Sequence, residues 1–131
     1  MMDRIENLLA LLRAEKLQRR AAQVGFDWDG VDGVLDKVRE ELSECEQTAA
    51  ANADSTARVH ELGDLLFACV NLARHLGVDA EQARRAANHR FETRFALVET
   101  GLHEQGREPR PEVREEMERL WEVAKAREKD R

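Results

Sequence analysis

Two helical segments, each carrying a pair of acidic residues three positions apart, dominate the middle of this chain. Residues 36–76 read DKVREELSECEQTAAANADSTARVHELGDLLFACVNLARHL, with a small polar linker at 51–54 between the segments. The first pair is Glu41 and Glu44, and the second pair is Glu61 and Asp64. Residues three apart on a helix are neighbours on its surface. Two such helices lying side by side can bring four carboxylates to one point, which outlines a metal site.

Composition and length favour an all-α fold in one domain. The 131 residues include no Tyr and two Pro, and 37% of them are charged. Ala, Leu, Glu and Arg are abundant, and these residues are good helix formers. The length fits a single domain spanning residues 1–131. We therefore expect an antiparallel arrangement that resembles a four-helix bundle, with an additional terminal helix.

The spacing of apolar residues predicts five helices and their ends. They span about 1–24, 31–50, 56–76, 80–103 and 112–127. The predicted N-terminal caps are Asp32, Asp54 or Ser55, and Asp79. The predicted breaks are Gly25, Gly77, Gly101, Gly106 and the prolines at 109 and 111, with Pro111 in the first turn of the last helix.

Helical phase places the acidic residues at the edge of apolar surface. At about 100° per residue, Glu41 lies at the border of the apolar stripe of the second helix, whereas Glu40 points further outward. Glu61 and Asp64 interrupt a third helix that is otherwise apolar around most of its circumference. Such a helix is typical of a bundle centre or a subunit interface. Carboxylates in that setting are costly unless they are paired or bind a metal, although a solvated acidic face is the common alternative.

Charge and cysteine content restrict the partners and the compartment. A net charge of -6 and a pI near 5.3 argue against binding to nucleic acid or to an anionic membrane surface. The longest apolar run, 65–70, is far shorter than the roughly 20 residues of a membrane span. Cys45 and Cys69 form no CxxC motif, and the chain shows no secretion signal. These features favour a soluble cytoplasmic protein with reduced cysteines.

The ligand types favour a hard divalent cation. A ferritin-like di-iron bundle uses ExxH motifs, but the residues three before the histidines are Ala57, Leu72, Ala86 and Thr100. An all-carboxylate set suits Mg²⁺ or Mn²⁺, which bind proteins together with substrate phosphate. Nearby cations would then contact the phosphate; they are Lys37, Arg90, Arg94 and Lys125. The two arginines emerge from inside an apolar stripe and need anions, which either protein carboxylates or a bound phosphate can supply.

Five motifs identify a family resemblance that covers almost the whole chain. They are VGFDW at 24–28, DKVREELSE at 36–44, ELGDLLFACVNLARHLG at 61–77, ANHRFETRF at 87–95 and MERLWEVAK at 117–125. With these motifs the sequence resembles the MazG-type nucleoside triphosphate pyrophosphohydrolases of the all-α NTP pyrophosphatase superfamily. It is most similar to the C-terminal catalytic domain of the two-domain bacterial MazG proteins.

The resemblance implies hydrolysis of a nucleoside triphosphate to a monophosphate and pyrophosphate, by attack of a metal-activated water on the α-phosphorus. It implies Mg²⁺ ligands at Glu41, Glu44, Glu61 and Asp64. The implied substrate contacts are Lys37, Asn71, Arg90, Arg94, Trp121 and Lys125, with Asn88 and Trp28 as further candidates. It also implies a homodimer. Two other functions remain open: a more selective dUTPase or dCTPase, and a non-catalytic nucleotide-binding or protein-interaction module.

Overall fold

The computed structural model describes residues 10–129, where all of the regular structure is helical. Helix α1 spans Ala10–Gln23, α2 Val31–Ala50, α3 Ser55–His75, α4 Ala80–Glu104 and α5 Arg114–Lys129, with a turn of 3-10 helix at Pro111–Val113. These helices confirm the all-α prediction; the start of the first predicted helix lies outside the described residues. Within residues 10–129, no helix has the length and apolar character needed to cross a membrane.

The chain divides into two compact units, one ending at Ala83 and the other beginning at Arg84. In the first unit, α3 packs against both α2 and α1. In the second unit, the remainder of α4 contacts α5, where the rings of Phe91 and Trp121 lie 5.3 Å apart. The assignment of residues 1–131 to a single domain stays a prediction.

Two predicted caps fix the starts of α3 and α4. The carboxylate of Asp54 accepts a hydrogen bond from the amide of Ala57 at 2.9 Å, and that of Asp79 accepts one from Glu81 at 3.1 Å. Each bond satisfies an amide that has no partner within its own helix. Gly77 follows the C-cap Leu76 and stops α3 as predicted. Its φ is +70°, a conformation that a residue without a Cβ adopts at little cost.

One predicted cap and one predicted break were wrong. Gly30 is the N-cap of α2, and Asp32 lies inside the first turn, where its charge is favourable near the positive end of the helix dipole. Helix α4 ends at Glu104, close to its predicted end, but it continues through Gly101 without a break. A Cβ at Gly101 would lie 2.8 Å from a methyl carbon of Leu120, so the glycine permits close approach of an α5 side chain.

The buried side chains form a small apolar core in each unit. They are Val34, Ala68 and Val70 in the first unit, and Val98, Leu102 and Ala124 in the second. Leu42 and Phe91 are exposed despite their apolar side chains. Helix α3 also keeps an apolar face in solvent, where Leu62 and Leu66 are 53% and 52% exposed.

The loop between α1 and α2 is tied to the end of α3 by Asp27. Its carboxylate accepts hydrogen bonds from two nitrogens of Arg74, at 2.8 and 2.6 Å, and lies 3.0 Å from Nε2 of His75. The Arg74 bonds, followed by the His75 contact, hold the pKa of Asp27 well below its usual range. Phe26, an aromatic residue of the same loop, is 81% exposed.

Replacing Asp27 with Asn is expected to lower the free energy of unfolding by about 1 kcal/mol at pH 7, because a charged hydrogen-bonded pair is lost at a partly exposed position. Since the folded-state pKa is lowered, the carboxylate stabilises the fold above its ordinary pKa of 3.8 and progressively less below it. The difference between wild type and variant should therefore shrink as the pH falls below about 4.

Urea denaturation at several pH values measures this difference. Asp29→Asn is the matched control, because Asp29 is an exposed aspartate in the same loop. Equal destabilisation by the two substitutions at pH 7 would contradict the proposed tie.

Candidate active site

The negative charges of four carboxylates on α2 and α3 affect the pKa of one thiol, that of Cys45. Burial raises the pKa of the Cys45 thiol, and four negative charges raise it further; they belong to Glu61, Glu41, Asp64 and Glu44. Charge interactions of this kind weaken quickly with distance in a solvated protein. All four acidic residues that the sequence singled out therefore lie within electrostatic range of the Cys45 thiol.

The α3 half of this cluster is the tighter one. Ligand atoms of His60, Glu61 and Asp64 all lie within 4.8 Å of one another. Nε2 of His60 lies 3.3 Å from a carboxylate oxygen of Asp64. The side chain of His60 is exposed, and it adds a nitrogen donor beside the carboxylates.

The α2 half contains the most buried carboxylate of the cluster. The side chain of Glu41 is 9% exposed, whereas that of Glu40 is 61% exposed, in agreement with the helical phase. Nζ of Lys37 lies 2.8 Å from the Glu41 carboxylate, and this contact raises the pKa of Lys37. Lys37, a candidate phosphate contact, is thus paired with a candidate metal ligand.

A pocket of about 430 Å³ opens beside these carboxylates. Arg58 and Glu61 line it together with Cys45, Thr48 and Leu62. The guanidinium of Arg58 donates a hydrogen bond to Asn52 at 2.9 Å. Sequence reasoning missed Arg58, although its position three residues before Glu61 puts both on one side of α3.

A second cavity in the first unit, of about 400 Å³, contains two further candidates, Asn71 and Trp28. Asn71 accepts a hydrogen bond from Arg74 at 3.0 Å. Gln18 also lines this cavity and was not singled out in the sequence. Its amide donates to the carbonyl of Phe67 at 2.9 Å, and its buried Oε1 has no hydrogen-bond partner in the part of the chain that the structure describes.

In the second unit, Arg94 lies between an aromatic ring and a carboxylate. Its guanidinium carbon lies 5.6 Å from the centre of the Trp121 ring, within range of a cation–π contact. It also donates three hydrogen bonds to Glu128, at 2.9, 3.1 and 2.7 Å. The sequence left two anions open for Arg94, a protein carboxylate or a bound phosphate. In the structure, Arg94 is paired with the carboxylate of Glu128.

The other candidates of the second unit gather around the same carboxylate. The pKa of Glu128 is lowered first by its hydrogen bonds with Arg94, and then by the charges of Arg90 and Lys125. Arg90 and Asn88 are exposed, and Lys125 is half-buried. Arg90, Arg94 and Lys125 therefore form one cationic cluster, with the Trp121 ring against Arg94. The cluster contains an acidic residue, Glu128, that the sequence did not predict.

The donor set of the first unit fits a hard divalent cation. All four predicted ligands offer carboxylate oxygens, the ligand type that Mg²⁺ and Mn²⁺ prefer. Their mutual repulsion near Cys45 favours capture of a positive ion.

Comparison with known proteins identifies the family of this chain. A family model described as phosphoribosyl-ATP pyrophosphohydrolase matches residues 11–91, and the chain belongs to that family. The chain is 47% identical over 125 residues to a nucleoside triphosphate pyrophosphohydrolase of Escherichia coli strain K12, which covers 95% of this chain and 48% of the relative. It is 40% identical over 116 residues to the Thermotoga maritima nucleoside triphosphate pyrophosphohydrolase/pyrophosphatase MazG, covering 88% of this chain and 44% of the relative.

These matches confirm the resemblance to MazG-type proteins. The chain spans about half the length of the curated relatives it matches.

Proposed function

We propose that this protein hydrolyses nucleoside triphosphates to nucleoside monophosphates and pyrophosphate. The observation that carries the proposal is the cluster of His60, Glu61 and Asp64, whose ligand atoms all lie within 4.8 Å of one another on α3. Helix α3 packs against α2, which carries the buried carboxylate of Glu41. The names of the E. coli and T. maritima relatives support the same reaction class. Water adds to the α-phosphorus, the α–β phosphoanhydride bond breaks, pyrophosphate leaves with the bonding electrons, and the water proton passes to solvent.

The four carboxylates are proposed to hold Mg²⁺, for which Mn²⁺ can substitute. A bound divalent cation supplies two effects, a lower pKa for water and neutralisation of phosphate charge. Of the four carboxylates, Glu41 would hold the ion most firmly, because its side chain is 9% exposed and has little room to change rotamer.

The cations of each unit are proposed to bind phosphate oxygens. In the first unit, Lys37 and Arg58 lie beside candidate metal ligands. In the second unit, Arg90, Arg94 and Lys125 form the cationic cluster, and Trp121 offers an aromatic face. Arginine suits this role because its fixed fork of N–H donors matches phosphate oxygens. Asn71 and Trp28, on the 400 Å³ cavity, are proposed to contact the nucleoside.

Millimolar Mg²⁺ is expected to raise the melting temperature of the wild type. At a tenfold excess over Kd, binding to the folded state alone gives a shift of about 3–6 °C. Glu41→Gln should abolish the shift because it removes a buried ligand charge. Glu40→Gln is the matched control on the neighbouring residue and should retain the shift.

Thermal denaturation with Mg²⁺ and with EDTA gives the readout. A wild type whose melting temperature does not respond to either addition would exclude the metal site. Equal loss of the shift in both variants would argue against Glu41 as a ligand.

Product identification tests the reaction itself. ATP, dUTP, dCTP, a deaminated purine triphosphate and phosphoribosyl-ATP are incubated with the protein in ¹⁸O-labelled water. We expect a monophosphate carrying the label, together with unlabelled pyrophosphate. Glu44→Gln should reduce turnover by at least about 100-fold, because loss of even a supporting residue of a metal site typically costs 10–100-fold.

Glu46→Gln, on an exposed position of α2, is the control and should retain turnover. Formation of a diphosphate and orthophosphate would refute the proposed bond cleavage. Turnover confined to dUTP, dCTP or phosphoribosyl-ATP would identify a selective enzyme instead. Nucleotide binding without any product would identify a non-catalytic module.

The exposed face of α3 is proposed to bind a second copy of this chain. Val59, Leu62 and Leu66 lie on one side of the helix, and all three are at least half exposed. These residues are spaced three and four apart, the repeat of a helix packed against another helix.

Leu66→Glu is expected to convert a homodimer of 15.0 kDa chains into monomers, since it places a charge in an apolar contact. Sedimentation equilibrium measures the mass. Val24→Glu, which changes an even more exposed apolar residue in the loop after α1, is the matched control and should leave the dimer intact. A wild type that sediments as a single chain at micromolar concentration would refute the dimer.

A further inference from the structure

The carboxylate of Glu128 accepts hydrogen bonds from the guanidinium of Arg94 in the geometry that a phosphate would use. Both of its carboxylate oxygens accept hydrogen bonds, from Nε at 2.9 and 3.1 Å and from one terminal nitrogen at 2.7 Å. A phosphate group binds the same side of a guanidinium through two oxygens in parallel. The carboxylate and a phosphate therefore compete for the same donors.

The cations around Glu128 stabilise its negative charge. Arg94, Arg90 and Lys125 all lower the pKa of Glu128, with the hydrogen bonds of Arg94 making the largest contribution.

Arg94 has a second contact that does not depend on Glu128. The guanidinium lies over the Trp121 ring at 5.6 Å, and Trp121 in turn contacts Phe91 at 5.3 Å. Arg94 can therefore keep its position on the indole while its hydrogen-bond partner changes. The pair is also partly open to solvent, with side chains 21% and 34% exposed, so exchange does not require the core to open.

We propose that Glu128 is an internal competitor for the phosphate-binding cations, and that a triphosphate must displace its carboxylate from Arg94 in order to bind. The inference rests on the proposed function for the identity of the ligand. It assigns to Glu128 control of substrate affinity rather than a part in bond cleavage. The fraction of Arg94 that is free of Glu128 sets the apparent affinity, because only that fraction is competent to bind.

Titration calorimetry with inorganic tripolyphosphate tests the proposal on the full chain. Competition by an ion pair that is partly open to solvent predicts that Glu128→Gln lowers the Kd about 2- to 6-fold. Glu128→Ala should change the Kd in the same direction. Glu115→Gln makes an equal change of net charge on an exposed position of the same helix and should leave the Kd nearly unchanged.

A double variant gives the specific control. In an Arg94→Gln background the competition no longer exists, so adding Glu128→Gln should produce no further tightening. With a nucleotide substrate, Glu128→Gln should lower KM and leave kcat unchanged.

An unchanged or weaker affinity in Glu128→Gln and Glu128→Ala would overturn the proposal, since the carboxylate would then only orient Arg94. Equal tightening in Glu115→Gln would overturn it in favour of overall charge. Absence of tripolyphosphate binding in every variant would also overturn it. Pyrophosphate release from a nucleoside triphosphate is measured separately. If the wild type releases no pyrophosphate but Glu128→Gln still binds tripolyphosphate more tightly, the proposed function is refuted and the competitor role of Glu128 is supported.

Discussion

Like charge concentrated where α2 packs against α3 is the constraint that shapes the first unit. Ligand atoms of Glu61 and Asp64 lie within 4.8 Å of each other, and Glu41 and Glu44 add negative charge from α2. Charges of one sign repel, and burial of Val34, Ala68 and Val70 supplies part of the compensation. Lys37 neutralises one carboxylate, that of Glu41. Under the proposed function, a divalent cation would offset two of the three remaining charges, and its binding would be linked to helix packing.

The same principle recurs among the cations. Lys37 pairs with Glu41, Arg94 with Glu128 and Arg74 with Asp27, at distances of 2.6 to 2.8 Å. The first two pairs join candidate phosphate contacts to internal anions, and the third fixes the loop that carries Trp28. Before a ligand binds, these internal anions hold the cations in place. A polyphosphate substrate would exchange one set of ion pairs for another, so its net binding free energy is smaller than its contact list suggests.

Local sequence rules predicted much of the fold and half of the charge arrangement. The helix starts at Asp54 and Asp79 follow from hydrogen bonds that span three residues or fewer. The inward position of Glu41 and the outward position of Glu40 follow from helical phase alone. Arg58 lies within one turn of Glu61, and the same phase argument would have found it.

Contacts between distant segments were not predictable in this way. Glu128 reaches Arg94 across 34 residues, and Arg74 reaches Asp27 across 47. Both pairs depend on how two helices, or a helix and a loop, approach each other. Glycine usually weakens a helix, yet Gly101 lies inside α4. Its missing Cβ leaves room for the side chain of Leu120 of α5. Propensity gave way to packing at this position.

The position of the bound metal tests the central claim most directly. Crystals of the protein grown with Mn²⁺ can be measured at a wavelength where manganese scatters anomalously. The account predicts an anomalous peak within coordination distance of carboxylate oxygens from both α2 and α3, with Glu41 among the ligands. A peak that contacts neither helix, or a cluster that stays free of metal at saturating Mn²⁺, would contradict the account.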